Sequence, residues 1–62
     1  MGWTESIAKA LSNIGIIYDK KNDKEEALRY LNQGLELFKQ IGSKIDIEQT
    51  EYNIQIIKRQ SR

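Results

Sequence analysis

The sequence contains no cysteine, no histidine and no proline. Without cysteine it has no disulfide bond, thiolate ligand or cysteine nucleophile, and without histidine it has no imidazole for metal binding or acid–base catalysis. Apolar runs are also short, since the longest, residues 14–18, is far below the roughly 20 residues that cross a bilayer. No secretory signal opens the chain, so the sequence favours a cytoplasmic protein.

An excess of charge of one sign is lacking as well, because Lys and Arg number 10 and Asp and Glu number 9. A net charge of +1 supplies no electrostatic attraction to nucleic acid or to an anionic membrane, and neither is expected as a partner. The sequence also shows no glycine-rich phosphate loop, metal-ligand spacing or paired nucleophile and base. It therefore predicts a non-enzymatic protein without a cofactor or a metal.

What the chain does contain is helical periodicity, interrupted at residues 20–23 and 41–44. These breaks predict three helices over about residues 5–21, 24–41 and 44–60. Connections this short favour antiparallel neighbours, so the expected fold class is all-α, an antiparallel helical hairpin followed by a third helix. At 62 residues, the chain is expected to form a single domain, residues 1–62, near the lower size limit for a core without disulfides or metals.

The residue types at the predicted helix ends fit these boundaries. Thr4 is predicted as the N-cap of the first helix, and Asn22 as a left-handed residue that ends it. Asp23, with Glu26 three residues later, has the pattern of a capping box for the second helix. Gly42 is expected to end that helix, and the serine after it to cap the third.

Each helix has at least one apolar face. In the first helix, one stripe is predicted to face the core: Ile7, Ala8, Leu11, Ile14, Gly15 and Tyr18. The second helix is apolar over a wider arc, which indicates two neighbours, and its rows are Ala27, Leu28, Leu31, Leu35 and Phe38, and Tyr30, Gly34, Leu37 and Ile41. The third helix carries the stripe Ile47, Thr50, Ile54 and Ile57 and a second stripe, Ile45, Tyr52 and Ile56. Gly34 in mid-helix indicates either a close backbone approach or a tolerated defect.

Seven positions of the first two helices resemble the signature of the tetratricopeptide repeat family: Leu11, Ile14, Gly15 and Tyr18, then Ala27, Leu31 and Gly34. The resemblance implies that Gly15 lets Ala27 approach closely and that Tyr18 closes the end of the hairpin. The third helix looks like the first helix of a next repeat, because residues 13–18, Asn-Ile-Gly-Ile-Ile-Tyr, recur forty positions later as Asn-Ile-Gln-Ile-Ile-Lys. The chain thus resembles about one and a half repeats.

The first and third helices differ mainly on one face. Three isoleucines, Ile7, Ile14 and Ile17, persist as Ile47, Ile54 and Ile57, whereas Ala8, Leu11, Gly15 and Tyr18 become Glu48, Glu51, Gln55 and Lys58. In the family, the changed face packs against the partner helix of the same repeat, which does not follow the third helix here. The polar replacements therefore predict a capping helix, with these four side chains exposed and the three isoleucines buried against the first two helices.

The resemblance implies a protein–protein interaction module with a short concave groove for a protein or peptide partner. The residues expected on that groove are Lys9, Ser12, Asn13, Ile16, Asp19 and Lys20 from the first helix, and Gln49, Tyr52, Asn53, Ile56 and Arg59 from the third. Asn13 and Asn53 either bracket a peptide backbone, because one amide offers both a donor and an acceptor, or are plain polar surface residues.

A second interpretation is an excised or designed minimal repeat scaffold, with a structural or self-associating role and no ligand of its own. Trp3 fits either a hydrophobic staple beside Thr4 or an added spectroscopic handle. The second apolar stripe of the third helix leaves a monomer and a weak homodimer both open. A third interpretation, a nucleic-acid accessory, rests only on a lysine cluster at one end of the hairpin: Lys20, Lys21 and Lys24.

Overall fold

The computed structural model describes residues 2–60, and this part of the chain folds into three α-helices without a strand. α1 runs over Gly2–Lys20, α2 over Lys24–Ile41 and α3 over Lys44–Gln60. α2 lies in the middle and packs against both neighbours, whereas α1 and α3 barely approach each other. The fold is all-α, as the sequence predicted. None of the described helices has the length and apolarity needed to cross a membrane.

The start of α1 differs from the prediction. The helix begins at Gly2, so Thr4 lies in its first turn and not at its N-cap. Apolar periodicity explains the extension, because Trp3 precedes Ile7 by one helical turn and continues its face. Since Trp3 is itself helical and largely exposed, it does not form the hydrophobic staple considered from the sequence.

The turn between α1 and α2 is built on Asn22, which has a φ of 69°. The Asn22 N–H donates to the carbonyl oxygen of Asp19 at 2.9 Å, and the Asp23 N–H donates to the carbonyl oxygen of Tyr18 at 2.9 Å. This pair of bonds is a Schellman motif, which satisfies carbonyl groups that a helix end leaves free. The prediction that Asn22 ends the first helix in a left-handed conformation is confirmed.

The turn between α2 and α3 repeats this geometry with glycine in place of asparagine. Gly42 has a φ of 72°, and its N–H donates to the carbonyl oxygen of Lys39 at 3.2 Å. The Ser43 N–H donates to the carbonyl oxygen of Phe38 at 3.1 Å. Gly42 therefore ends α2 as predicted, because glycine adopts a positive φ without a steric penalty.

Asp23 caps α2 as predicted, since its Oδ1 accepts a hydrogen bond from the Glu26 N–H at 3.3 Å. The reciprocal half of a capping box is not formed, because the Asp23 N–H is already bound to the Tyr18 carbonyl oxygen. The Glu26 carboxylate instead lies 3.7 Å from Nη1 of Arg29. The start of α2 thus combines one side-chain cap with the end of the preceding Schellman motif.

Two glycines bring the backbones of α1 and α2 close together. A Cβ atom on Gly15 would lie 2.9 Å from the carbonyl oxygen of Ala27, so the close contact between these two residues is confirmed. A Cβ atom on Gly34 would lie 2.7 Å from Ser12 Oγ and 3.0 Å from the carbonyl oxygen of Ala8. Gly34 therefore marks a close approach of the two helices and is not a tolerated defect.

The core lies on both sides of α2. Its buried apolar residues are Ala8, Ala27, Leu31, Leu35, Phe38, Ile54 and Ile57. At the end of the hairpin, the rings of Tyr18 and Tyr30 stack with their centroids 5.5 Å apart. This stacking gives Tyr18 the closing position that the sequence resemblance implied.

Two isoleucines of α1 are outside the core, contrary to the prediction. Ile7 and Ile14 are exposed, and so is Ile41 at the end of α2. Successive helical residues are rotated by roughly 100°, so each of these α1 isoleucines points well to the side of the buried residue after it. α2 covers only the arc around Ala8 and Gly15, and the isoleucines fall beyond its edge.

α3 has the polarity predicted for a capping helix. The four polar replacements are all exposed: Glu48, Glu51, Gln55 and Lys58. Ile54 and Ile57 are buried, and Ile47 is half-buried. Ile54 and Ile57 join a cluster with α2 residues Ala27 and Leu31. The expectation that α1 shares in this burial is wrong, because α3 packs almost entirely on α2.

Candidate functional site

A shallow groove of about 230 Å³ lies between α1 and α3. Its lining residues are Lys9, Ser12 and Asn13 from α1, Phe38 from α2, and Asp46, Gln49, Thr50 and Asn53 from α3. The groove exists because α1 and α3 both pack on α2 while barely approaching each other. The side chain of Phe38 is buried, so α2 closes the groove from below.

Five of the eleven residues predicted for a concave groove line this one: Lys9, Ser12, Asn13, Gln49 and Asn53. The other six do not line it: Ile16, Asp19, Lys20, Tyr52, Ile56 and Arg59. Tyr52 is exposed, Ile16 and Ile56 are half-buried, and Asp19 pairs with Lys24 of α2. Apart from Tyr52, these six residues lie in the C-terminal halves of α1 and α3, beyond the depression.

Three residues that line the groove were not predicted from the sequence: Phe38, Asp46 and Thr50. Asp46 and Thr50 share a helical face with Gln49 and Asn53 through i, i+3 and i+4 spacing, so periodicity alone could have found them. Phe38 belongs to α2, and the sequence indicated less strongly that it would line the groove. It lies one turn after Gly34, one of the two points at which α1 and α2 approach closely.

Local hydrogen bonds fix Asp46 at the edge of the groove. The Ser43 hydroxyl donates to Asp46 Oδ2 at 2.6 Å, and the buried Thr50 hydroxyl donates to the Asp46 carbonyl oxygen at 2.8 Å. Ser43 was predicted to cap the third helix, and it does precede α3, but its hydroxyl donates to a side chain instead of accepting from an amide. These bonds order the first turn of α3 and satisfy the buried threonine.

Charge within the groove is balanced between the two walls. Lys9 Nζ forms an exposed ion pair with Glu5 Oε2 at 3.2 Å, and Asp46 lies on the opposite wall. The remaining polar side chains are uncharged, namely the hydroxyls of Ser12 and Thr50 and the amides of Asn13, Gln49 and Asn53. Among residues 2–60, no group of three or more acidic side chains is placed to hold a metal ion. The arrangement therefore suits hydrogen bonding to a neutral polar ligand.

The hydroxyl of Ser12 is the one buried side-chain polar atom without a hydrogen-bond partner in the part of the chain that the structure describes. It lies against Gly34, where an added Cβ would come within 2.7 Å of the oxygen. Ser12 thus serves as a small packing residue at the base of the groove. Its hydroxyl contributes no bond to the hairpin.

A second depression, of about 400 Å³, lies between α2 and α3. It is lined by Asn32 and Leu35 from α2 and by Glu51, Ile54, Gln55 and Lys58 from α3. Leu35 and Ile54 are buried, and three of the polar replacements on α3 surround them. This polar rim occupies the face of α3 that corresponds to the buried face of α1.

Comparison with known proteins identifies the hairpin. The sequence profile of the tetratricopeptide repeat family matches residues 8–40, which is more than half of the chain. The match spans most of α1 and nearly all of α2, and α3 lies outside it. No curated protein and no solved structure matches the chain. The hairpin of α1 and α2 therefore corresponds to one repeat.

Proposed function

Because the chain belongs to the tetratricopeptide repeat family, we propose that residues 1–62 form a single non-enzymatic interaction domain that binds a short extended peptide between α1 and α3. Repeats of this family typically mediate protein–protein contacts. The observation that carries the proposal is that Asn13 and Asn53 line the same groove from opposite walls. A protein or peptide partner in the cytoplasm is part of the same proposal.

The amides of Asn13 and Asn53 suit a peptide backbone, because each side chain offers two N–H donors and one carbonyl acceptor. An extended peptide exposes N–H and C=O groups along its edges, so a strand lying between α1 and α3 would meet an amide on either side. Gln49 adds a third amide on the α3 wall. Recognition by backbone hydrogen bonds gives affinity with little dependence on the peptide's side chains.

The groove does not select strongly for charge. Lys9 and Asp46 face it from opposite walls, and Lys9 is already paired with Glu5. Binding of a peptide C-terminal carboxylate is not proposed, because Ser12 and Ile16 occupy positions where such a groove needs a cation and an amide. Two groove helices offer less area than a standard interface, so we expect a dissociation constant on the order of 0.1 to 1 mM.

The test is a titration of the ¹⁵N-labelled protein with a pool of unstructured hexapeptides with blocked termini, followed by amide chemical shifts. We expect shifts concentrated on the groove residues. Asn13→Ala and Asn53→Ala should each weaken binding by about threefold to tenfold, the effect of one or two lost hydrogen bonds. Asn32→Ala is the matched control, because Asn32 is exposed on α2 and lines the other depression.

Two results would contradict the peptide-binding proposal. One is the absence of groove shifts at millimolar peptide. The other is an equal loss of binding in all three asparagine variants, which would mean that the substitutions act through folding. Melting temperatures of the variants separate these cases, since none of the three asparagines is buried and all three variants should melt like the parent protein.

A self-associating scaffold is the alternative function, and one observation favours it. Ile45 and Tyr52 are largely exposed on α3, and exposed apolar groups of this size are common at interfaces between chains. Together with Ile56 these residues form the second apolar stripe of α3. If this stripe pairs two copies, sedimentation should show a dimer at high concentration, and the double variant Tyr52→Lys with Ile56→Lys should be monomeric. A chain that stays monomeric at millimolar concentration would rule this function out.

A further inference from the structure

Six exposed residues lie in a line along α1 and the start of the turn that follows it. They are Trp3, Ile7, Ala10, Ile14, Ile17 and Lys21. The intervals between them alternate between four and three residues, which is the spacing of a coiled-coil seam. Lys21 continues the helical path beyond the end of α1, because its N–H donates to the carbonyl oxygen of Ile17 at 3.1 Å. We call this line the outer face of α1.

The other described helices leave the outer face uncovered. α2 packs on the side of α1 that carries the buried residues Ala8 and Gly15, and α3 barely approaches α1. Trp3 is 84% exposed, and Ile7 and Ile17 are 53% and 51% exposed. The whole face exposes on the order of 500 Å² of apolar surface, and an apolar patch of this size is often an interaction site.

The outer face is complementary to itself when two copies of α1 run antiparallel. One register pairs every residue of the line with a residue of the second copy: Ile7 with Ile17, Ala10 with Ile14, and Trp3 with Lys21. The small side chain of Ala10 leaves room for Ile14, so the two helices can approach closely in the middle of the seam. At each end, the Trp3 ring meets the aliphatic stem and the ammonium group of Lys21, which is a favourable cation–π arrangement.

Charge and size favour this arrangement over the alternatives. In a parallel pair each residue meets its own equivalent, so Lys21 would lie against Lys21 of the second copy, and like charges at this distance repel. Ala10 would also lie against Ala10 and leave the middle of the seam underfilled. An antiparallel pair shifted by one heptad places Ile7 against Ala10 and leaves Ile17 uncovered in both copies. The register with Ile7 against Ile17 avoids all three costs.

The residues that flank the seam add no repulsion to it. On the side away from α2 they are Ser6, Asn13 and Lys20, and on the side toward α2 they are Thr4, Leu11 and Tyr18. Antiparallel pairing places Lys20 near Ser6 of the second copy and Asn13 near its own equivalent. The flank toward α2 is uncharged and half-buried. Two copies can therefore approach along the seam without bringing like charges together.

We propose that two copies of this chain pair through the outer faces of α1, antiparallel and with Ile7 against Ile17 of the second copy. The two copies together bury on the order of 1,000 Å², which is near the lower limit for a specific interface. A weak dimer is therefore expected, with a dissociation constant on the order of 10–100 µM. This interface is separate from the second apolar stripe of α3, and it does not depend on peptide binding in the groove.

Sedimentation of two matched variants tests which face forms the dimer. The parent protein should dimerise with increasing concentration, and the emission of Trp3, the single tryptophan, should shift to shorter wavelength as the dimer forms. Ile7→Glu places a carboxylate in two layers of each dimer and should raise the dissociation constant at least about tenfold. Ile45→Glu is the control, because Ile45 is 75% exposed on α3 and lies outside the outer face. It should leave the dissociation constant within about twofold of the parent value.

Cysteine cross-linking tests the orientation and the register, and the chain suits it because it has no cysteine of its own. An Ile7→Cys protein and a ¹⁵N-labelled Ile17→Cys protein are mixed in a glutathione redox buffer. In the proposed dimer a thiol at position 7 faces one at position 17, whereas two thiols at position 7 lie roughly 15 Å apart, beyond the reach of a disulfide. Mass spectrometry should find the mixed dimer in at least about tenfold excess over either homodimer, whereas random pairing gives about a twofold excess.

Three results would overturn the proposal. A parent protein that stays monomeric at millimolar concentration would leave the outer face to a different protein. A dimer that Ile45→Glu dissociates and Ile7→Glu does not would assign the interface to the second apolar stripe of α3. Cross-linking of the Ile7→Cys protein with itself as readily as with the Ile17→Cys protein would show a parallel pair or no fixed register. Circular dichroism checks that the Ile7→Glu protein is folded, and the cross-linking result decides if it is not.

Discussion

A Cβ atom added to Gly15 would stand 2.9 Å from the carbonyl oxygen of Ala27, closer than real Cβ atoms come to a neighbouring atom. Ala27 is itself fully buried, so α1 and α2 meet backbone to backbone at this point. The contact explains why both positions carry small residues.

We expect Gly15→Leu to lower the free energy of unfolding by about 1–3 kcal/mol, because the added side chain overpacks the contact with Ala27. Gly15→Ala should also be destabilising, even though alanine is favoured over glycine in a helix by roughly 1 kcal/mol. Urea unfolding followed by circular dichroism measures both. Gly2→Ala is the control, since nothing lies within 4 Å of an added Cβ there.

A stabilising effect of Gly15→Ala would show that α1 and α2 do not meet at Gly15. If Gly15→Ala and Gly2→Ala both raise stability by similar amounts, helix propensity decides the result, and the close approach is not present in solution.

The contact between Ser12 of α1 and Gly34 of α2 leads to a second prediction. Ser12→Ala should leave stability unchanged or raise it by up to about 1 kcal/mol, because it removes a buried hydroxyl without a hydrogen-bond partner among the described residues. Gly34→Ala should be destabilising, since its Cβ would come within 2.7 Å of the Ser12 oxygen.

A double-mutant cycle tests whether these two effects share that contact. In the Ser12→Ala background, Gly34→Ala should lower the free energy of unfolding by about 0.5–1 kcal/mol less than it does in the parent protein. Part of the cost remains, because the Ala8 carbonyl oxygen would still be only 3.0 Å away. Strict additivity of the two substitutions would mean that the Ser12 oxygen is not the atom that excludes a side chain at Gly34.

Local signals in the sequence predicted much of this fold. Asn22, Asp23 and Gly42 act within one helical turn, so their residue types were enough to predict the two turns and the cap of α2. The exposure of Ile7 and Ile14 was not predictable in the same way. Periodicity shows that a helix has an apolar face, but the arc that a neighbour covers depends on tertiary packing.

The groove was predictable in part for the same reason. Asn13 and Asn53 line the same depression, and their pairing could be expected because the repeat relates their positions. The depression between α1 and α3 is lined by five of the eleven predicted residues, and the other six do not line it. Phe38 was missed because it belongs to α2, whereas the groove was predicted from α1 and α3 alone.

The two turns give a third prediction. Gly42→Ala should destabilise the protein by about 1 kcal/mol, because any residue with a Cβ is strained at a φ of 72°. Space is not the cause, since nothing lies within 4 Å of the added atom. Asn22→Gly, at the equivalent place in the first turn, should be neutral or slightly stabilising. If thermal melts show that Asn22→Gly is more destabilising than Gly42→Ala, the Schellman geometry of the two turns is contradicted.

The polar face of α3 gives the final prediction, which concerns association and not stability. The triple variant Glu51→Leu, Gln55→Ala and Lys58→Tyr should join the buried Leu35 and Ile54 into one apolar surface. We expect it to associate with increasing concentration in sedimentation, because the open end of α3 then resembles an uncovered helix. The control variant Glu51→Gln with Lys58→Gln removes the charges but keeps the polarity, and it should remain monomeric wherever the parent does. If both variants associate, the charged groups of Glu51 and Lys58 prevent association and the uncharged polarity of this face does not. If neither variant associates, the polarity of α3 is not what prevents it.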